Sequence, residues 1–312
     1  MNANAEEIRE LLEGLKRSEN EKEISPKYFY DERGSQLFDQ ITRLPEYYPT
    51  DTEIEIMRSN IDEMVELIGP QASIIEFGAG SSVKVRILLE NLKDLAAFVP
   101  VDISEEHLLA AAEEMQKDFP DVPIHPVAAD FTKPFDLPSP EVTPIRNIVY
   151  FPGSTIGNFT EEDALELLKV MHHEAGEGGA LLIGVDLQKD PKIIEDAYND
   201  SQGVTASFNR NMLHHLNREF GADFDVDSFK HDAKYDEDEG RVVLRLISDK
   251  RQDVNIGGEQ VTIAKDEAIL TEYSHKYTFE GFAAMAEAAG FRVENVWTDP
   301  QKLFSVQFLV RD

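Results

Sequence analysis

The strongest constraint on this chain is a strand–helix alternation that occupies its middle. Residues 73–76 read as an apolar strand, followed by Gly78-Ala79-Gly80 and a helix to about Leu92. Residues 97–101 form the next strand, closed by Asp102, and residues 105–118 the next helix. Strands follow at 124–128, ending at Asp130, and at 146–151, running into the turn Pro152-Gly153-Ser154. A helix at 161–175 and a strand at 179–185 complete the series. Such an order predicts an α/β fold, a parallel sheet with helices on both faces. Ahead of it, helices are expected at 5–17, near 36–42 and at 53–67, the last N-capped by Thr50 or Asp51.

After Asp186 the alternation stops. Helices at 191–198 and 204–220 precede strand-like runs at 229–235, 241–247 and 260–263, which reads as an α+β insertion. The chain then returns to a helix (279–289) and two strands (292–298 and 304–311) joined by a short turn, hence antiparallel. A parallel sheet finished by an antiparallel hairpin is the Rossmann-like order of class I methyltransferases. The expected domains are 51–186 plus 277–312 for the sheet, and 1–50 plus 187–276 for a second, substrate-binding domain.

The turn after the first strand carries the cofactor signal. Glycines let the backbone pass close to a ligand at a strand's C-terminal edge. A dinucleotide needs a third glycine in G-x-G-x-x-G, and that position is Val83. S-adenosylmethionine (SAM) has no pyrophosphate and does not need it. Asp102 ends the next strand, 24 residues beyond Gly78, where its carboxylate can take both ribose hydroxyls. Asp130 and Phe131 end the third strand, where an acceptor meets the adenine amine and a ring flanks the base. SAM is therefore the expected cofactor and NAD the alternative.

Composition removes other classes. With 61 acidic against 30 basic residues the net charge is −31, which disfavours nucleic acid and anionic membranes as partners. No cysteine is present, so thiolate chemistry and disulfides are excluded. The pairs His172-His173 and His214-His215 lack i, i+4 spacing, and no metal is expected. A polar N-terminal segment and the lack of a long apolar run predict a cytoplasmic protein, taken to be a monomer.

The chain also resembles the histidine Nα-methyltransferases of ergothioneine biosynthesis, from about Ser25 onward. The resemblance rests on Lys27–Asp31 (KYFYD), Thr42–Thr50 (TRLPEYYPT), Gly153–Asn158 (GSTIGN), Gly203–Asn211 (GVTASFNRN), Leu270–Ser274 (LTEYS) and Trp297–Pro300 (WTDP). It implies transfer of three methyl groups from SAM to the α-amine of L-histidine, giving hercynine. It implies a SAM site of Gly78, Lys84, Asp102, Asp130 and Phe131. It implies a substrate site of Tyr30, Tyr47, Asn158, Tyr198, Glu272 and Ser274, with Tyr30 and Asn158 nearest the chemistry. Leu244 departs from the family, which often has Met there. That departure keeps open an N-methyltransferase for another amino acid or amine, and a protein that binds SAM without turnover is a further alternative.

The chemistry is compatible with these residue types. Methyl transfer is an in-line displacement that depends mostly on positioning. Asn158 and Tyr198 offer neutral donors to a carboxylate. Glu272 offers an acceptor to an imidazole N–H, and Ser274 and Tyr47 offer hydroxyls. Glu272 and Ser274, two apart on a strand, share one face. By residue type alone, the tyrosines read as packing residues and the acid as a solvated one.

Overall fold

The computed structural model describes residues 3–79 and 83–311. Gly80, part of the glycine turn, lies outside the described residues. In chain order the elements are α1 (Ala3–Leu15), α2 (Glu32–Ile41), α3 (Tyr48–Ser59), α4 (Ile61–Ile68), β1 (Ala72–Phe77), α5 (Val83–Asn91), β2 (Ala97–Asp102), α6 (Glu105–Asp118), β3 (Val127–Ala128) and β4 (Arg146–Phe151). They continue with α7 (Glu161–Ala175), β5 (Ala180–Asp186), α8 (Pro191–Tyr198), α9 (Val204–Phe220), β6 (Phe229–Asp236), β7 (Arg241–Ser248), β8 (Gln252–Ile256) and β9 (Glu259–Ile263). The last are β10 (Ala268–His275), α10 (Phe279–Ala288), β11 (Phe291–Thr298) and β12 (Phe304–Arg311). They divide into two compact units, Met1–Tyr48 with Lys189–Ser274, and Pro49–Gln188 with His275–Asp312.

The second unit is built on a seven-stranded sheet of order β11-β12-β5-β4-β1-β2-β3. β1 pairs in parallel with both β2 and β4, and β4 with β5. β12 pairs antiparallel with β11, as the short turn between them requires, and also enters antiparallel against β5. The central strands β1 and β5 are buried along their whole length, which is why they read as largely apolar runs instead of alternating ones. Ile75, Val149 and Ile183 point to a layer with Leu168 of α7 and Phe282 of α10. Ile74, Ile148 and Leu182 point to the opposite layer, with Met57 of α3, Met64 of α4 and Leu88 of α5.

The first unit has its own core. Leu12 and Leu15 of α1, Leu37 and Ile41 of α2 and Met212 and Leu216 of α9 pack with Val254, Ile256 and Ile263 of the β8–β9 ribbon. A three-stranded sheet of order β10-β7-β6 completes it.

Three local expectations are corrected. The helix expected at 53–67 is two helices, because α3 begins earlier, at Tyr48, with Pro49 in its first turn, where a missing N–H costs nothing. It ends at Ser59, and Asn60 leaves helical geometry (φ −124°) while its side chain donates to the Ile56 carbonyl. The strand expected at 124–128 shrinks to Val127–Ala128 plus a single bridge from Ile124 to Phe98. Pro126 between them has no N–H to give a ladder. The ribbon strand β8 was not expected, and it folds back on β9 through Gly257 and Gly258, both at positive φ.

Candidate functional site

Two groups of the expected residues come together, one in each unit. In the second unit, Gly78 follows β1 with φ +73°, a conformation that L side chains rarely adopt, and its N–H donates to Val101 O at 2.9 Å. A β-carbon built there would meet only the Phe131 ring, at 3.6 Å. The demand for glycine is therefore conformational. Gly78→Ala is expected to cost about 1–2 kcal/mol of stability through the left-handed backbone alone. Urea unfolding checks this, and a change below about 0.5 kcal/mol, the scatter of surface substitutions, would contradict it.

Phe131 lies 5.6 Å from Phe77 and 6.0 Å from Phe151, centroid to centroid, which gives the strand ends an aromatic floor. Asp102 terminates β2 half-buried, with Oδ1 accepting the Ser104 N–H at 2.9 Å. Asp130 is tied into its own turn. Its Oδ1 accepts from Thr132 N and Oγ, and its Oδ2 from Lys133 Nζ at 2.7 Å. Burial raises its pKa, but the hydrogen bonds from Lys133 and Thr132 outweigh that, and the carboxyl sits below its ordinary range.

Lys84, in the first turn of α5, forms an ion pair with Glu53 of α3. Glu53 is 1% exposed and also accepts the Gly153 N–H, at 3.0 and 2.9 Å to its two oxygens. The sequence reading missed Glu53, taking it for the start of a helix. A signal was available in β5, because a glycine inside a buried strand marks a close approach. A β-carbon on Gly184 would lie 2.1 Å from Glu53 Oε1. Glu76, 2% exposed at the end of β1, is pushed up to about 8 by burial, with Lys84 opposing and Asp102 adding to the rise. Near neutral pH it is mostly protonated, so the strand end carries less negative charge than its sequence implies. Asn158 closes a 3-10 turn after Ser154, which adopts φ 56° and accepts the Asp186 N–H on its hydroxyl at 2.9 Å.

In the first unit, Tyr198 ends α8 with its hydroxyl 2.7 Å from Ser274 Oγ of β10. Tyr198, Glu272 and Ser274 are all buried. Glu272 and Ser274 share a face of β10, as their spacing predicts. Tyr47 meets the Tyr198 ring edge-on at 6.3 Å. Tyr30 packs edge-on against Phe38 and Phe208 at 5.9 and 5.8 Å, and is 45% exposed. Desolvation by the chain around its hydroxyl, then the charge of Glu272 and the proximity of Tyr198, raise its pKa well above the ordinary phenol range. Tyr30 is thus a neutral phenol, able to donate or accept a hydrogen bond and unable to rest as a base. Leu244 is fully buried in β7 beside Tyr198, Ile194 and Ala233. Of the six expected substrate residues, Asn158 belongs to the second unit and the other five to the first.

Comparison with known proteins gives a consistent result. Residues 7–311 match the profile of a family described as histidine-specific, SAM-dependent methyltransferase. The histidine N-alpha-methyltransferase of Mycolicibacterium smegmatis is 41% identical over 295 residues, covering 93% of this chain and 91% of the relative. Ergothioneine biosynthesis protein 1 of Neurospora crassa is 33% identical over 86% of this chain and 31% of its own greater length. Among solved structures, a SAM-dependent methyltransferase from Clostridium acetobutylicum superposes with a TM-score of 0.51, covering 89% of this chain and 98% of that one at 11% identity, a likeness of fold.

Proposed function

The chain belongs to the SAM-dependent, histidine-specific methyltransferases and acts on the α-amine of histidine, and we propose that it adds three methyl groups in succession, giving hercynine, through the residues described above. The sheet unit is read as the SAM domain and the other as the substrate domain. SAM supplies an electrophilic methyl on a sulfonium. Gly78 would allow its close approach, and Lys84 would face its carboxylate. Asp102 would accept its ribose hydroxyls, with Asp130 and Phe131 at the adenine. The turn geometry at Gly78 and the half-buried acid ending β2 suit these roles.

The observation that carries the substrate reading is the buried polar trio Tyr198, Ser274 and Glu272 set among tyrosines. The trio sets one acidic acceptor and two hydroxyls together, and a ligand with complementary polar atoms suits it. An imidazole N–H on Glu272, with hydroxyls of Ser274 and Tyr47 at the other nitrogen, matches it. Tyr198 and Asn158 would hold the α-carboxylate. An apolar amino acid would offer Glu272 no hydrogen-bond donor and be disfavoured.

At the reacting nitrogen the requirement is a lone pair. An α-amine with a reference pKa of about 8 offers a usable neutral fraction at cellular pH. Tyr30, a neutral phenol, would accept or donate one hydrogen bond to the amine and orient it. The growing quaternary cation suits aromatic faces such as Tyr30 and Tyr47. The proposal extends to a cytoplasmic monomer with no polyanionic partner, supported by the net charge of −31.

Mass spectrometry of histidine incubated with SAM and enzyme is expected to show one, two and then three methyl additions on Nα. No gain of mass on histidine would overturn the reading. Leu244, in place of a more flexible Met, motivates running the same assay over an amino-acid panel. A clear preference for another amine would replace histidine by that substrate.

A further inference from the structure

We propose that His231 is a positioning residue for histidine binding, acting through the main chain of Tyr198. His231 lies on β6, outside every motif that suggested the site. One ring nitrogen, Nε2, is 2.9 Å from the carbonyl oxygen of Tyr198, and the other, Nδ1, is 2.9 Å from the Asn209 side-chain amide of α9. A carbonyl only accepts, so Nε2 carries the proton. Nδ1 must then accept from Asn209.

Asn209 cannot reverse this arrangement cheaply. It is fully buried, and the same amide nitrogen donates to Arg245 O at 3.1 Å. Turning the amide would set its oxygen against that carbonyl. The network therefore specifies one tautomer of a neutral imidazole. Burial lowers the pKa of His231 and outweighs the backbone acceptor and the acids. Its charged surroundings are Asp232 on its own strand, Asp200 beyond α8 and Arg210 on α9, with Arg245 of β7 paired to Asp232.

The last turn of α8 is held to β6 at three points. Besides the His231 bond, Asn199 Nδ2 donates to Ala233 O at 2.9 Å, and Glu195 accepts the Tyr235 N–H at 3.1 Å. Of these three, the His231 bond falls on Tyr198 itself, the residue whose hydroxyl meets Ser274. Loss of it frees that carbonyl and lets the tyrosine ring swing from Ser274. The sheet pairing of β6 and β7 runs past His231 without using its side chain.

This inference rests on the reading that Tyr198 contacts histidine, and the tests separate the two. His231→Leu is expected to raise the KM for histidine about tenfold, with kcat and the SAM Kd within about twofold, the loss of one hydrogen bond to a buried carbonyl. His231→Gln, whose terminal amide can donate where Nε2 does, is expected to recover most of the affinity. Protonation would set an N–H on Nδ1 against the Asn209 amide and displace the wild-type ring, whereas Gln does not titrate, so the ratio of its KM to that of the wild type should fall as pH drops below the ordinary histidine range. Substrate titration is common to both enzymes and cancels in that ratio. Nitrogen NMR of the labelled wild type should show an Nε2–H, Nδ1-bare imidazole at pH 7, a readout independent of folding defects in variants. An Nδ1–H or protonated ring would overturn the proposal, as would parallel losses of histidine and SAM binding, or no rescue by Gln. If Tyr198→Phe leaves the histidine KM unchanged, the substrate reading of Tyr198 falls and this inference with it. If Tyr198→Phe weakens histidine and His231→Leu does not, the inference alone falls.

Discussion

Glu272→Ala is expected to weaken histidine binding roughly a hundredfold while leaving SAM affinity within about twofold. A hydrogen bond to a charged group contributes about 1.5–3 kcal/mol, and each 1.4 kcal/mol is a factor of ten. Glu272 is 8% exposed on β10, so water would not replace the lost acceptor well. Glu272→Gln keeps an acceptor of the same size without its charge and should fall between the two. Titration calorimetry with each ligand separately checks the split. Equal losses for both ligands would show a general defect and remove Glu272 from the substrate site. Asp102, at the end of β2, is the internal control, since its loss should act on SAM in place of histidine.

Lys276→Ala is expected to destabilise the sheet unit by about 3–5 kcal/mol, the cost of leaving a buried charge without its partner. Lys276 Nζ lies 2.7 Å from Asp186 Oδ2, and both side chains are 1% exposed. Asp186 closes β5, where its backbone also receives the Tyr277 N–H at 2.9 Å. The pair thus fastens the end of β5 to the segment that leaves β10. Removing both charges at once, as Asp186→Leu with Lys276→Met, should recover most of the loss, because the desolvation penalty disappears with the attraction. Guanidinium unfolding of the two variants measures this. A single variant within about 1 kcal/mol of the wild type, the centre of ordinary point mutations, would refute it.

What could be read from the sequence followed from local pattern. β1, β2, β4 and β5 announced themselves because two-sided burial gives each a largely apolar run. Glu272 and Ser274 shared a face by strand periodicity, and Gly78 and Asp102 fell at strand ends. β8 escaped because Val254 alternates with Asp253 and Asn255 in a short run that resembles a loop. The break at Asn60 depends on one side chain returning to its own helix. Glu53 and His231 escaped for a different reason, and even the glycine in β5 marks a close approach without naming the side chain that makes it. Their partners, Lys84 and Gly153 in one case and Tyr198 and Asn209 in the other, come from distant segments joined only by the folded topology. The tyrosines of the substrate group were singled out by family likeness, since an aromatic stretch by itself signals packing.

The position of β12 bears on how the protein is made. It follows β5 in the chain only after β6–β11, yet it sits inside the sheet, covering the outer edge of β5. Until it arrives, β5 presents a largely apolar strand with one side of its backbone unpaired, a template for pairing with another chain. Synthesis therefore passes through an interval in which the nascent sheet is vulnerable, and the acidic bias of the sequence works against association of neighbouring nascent chains.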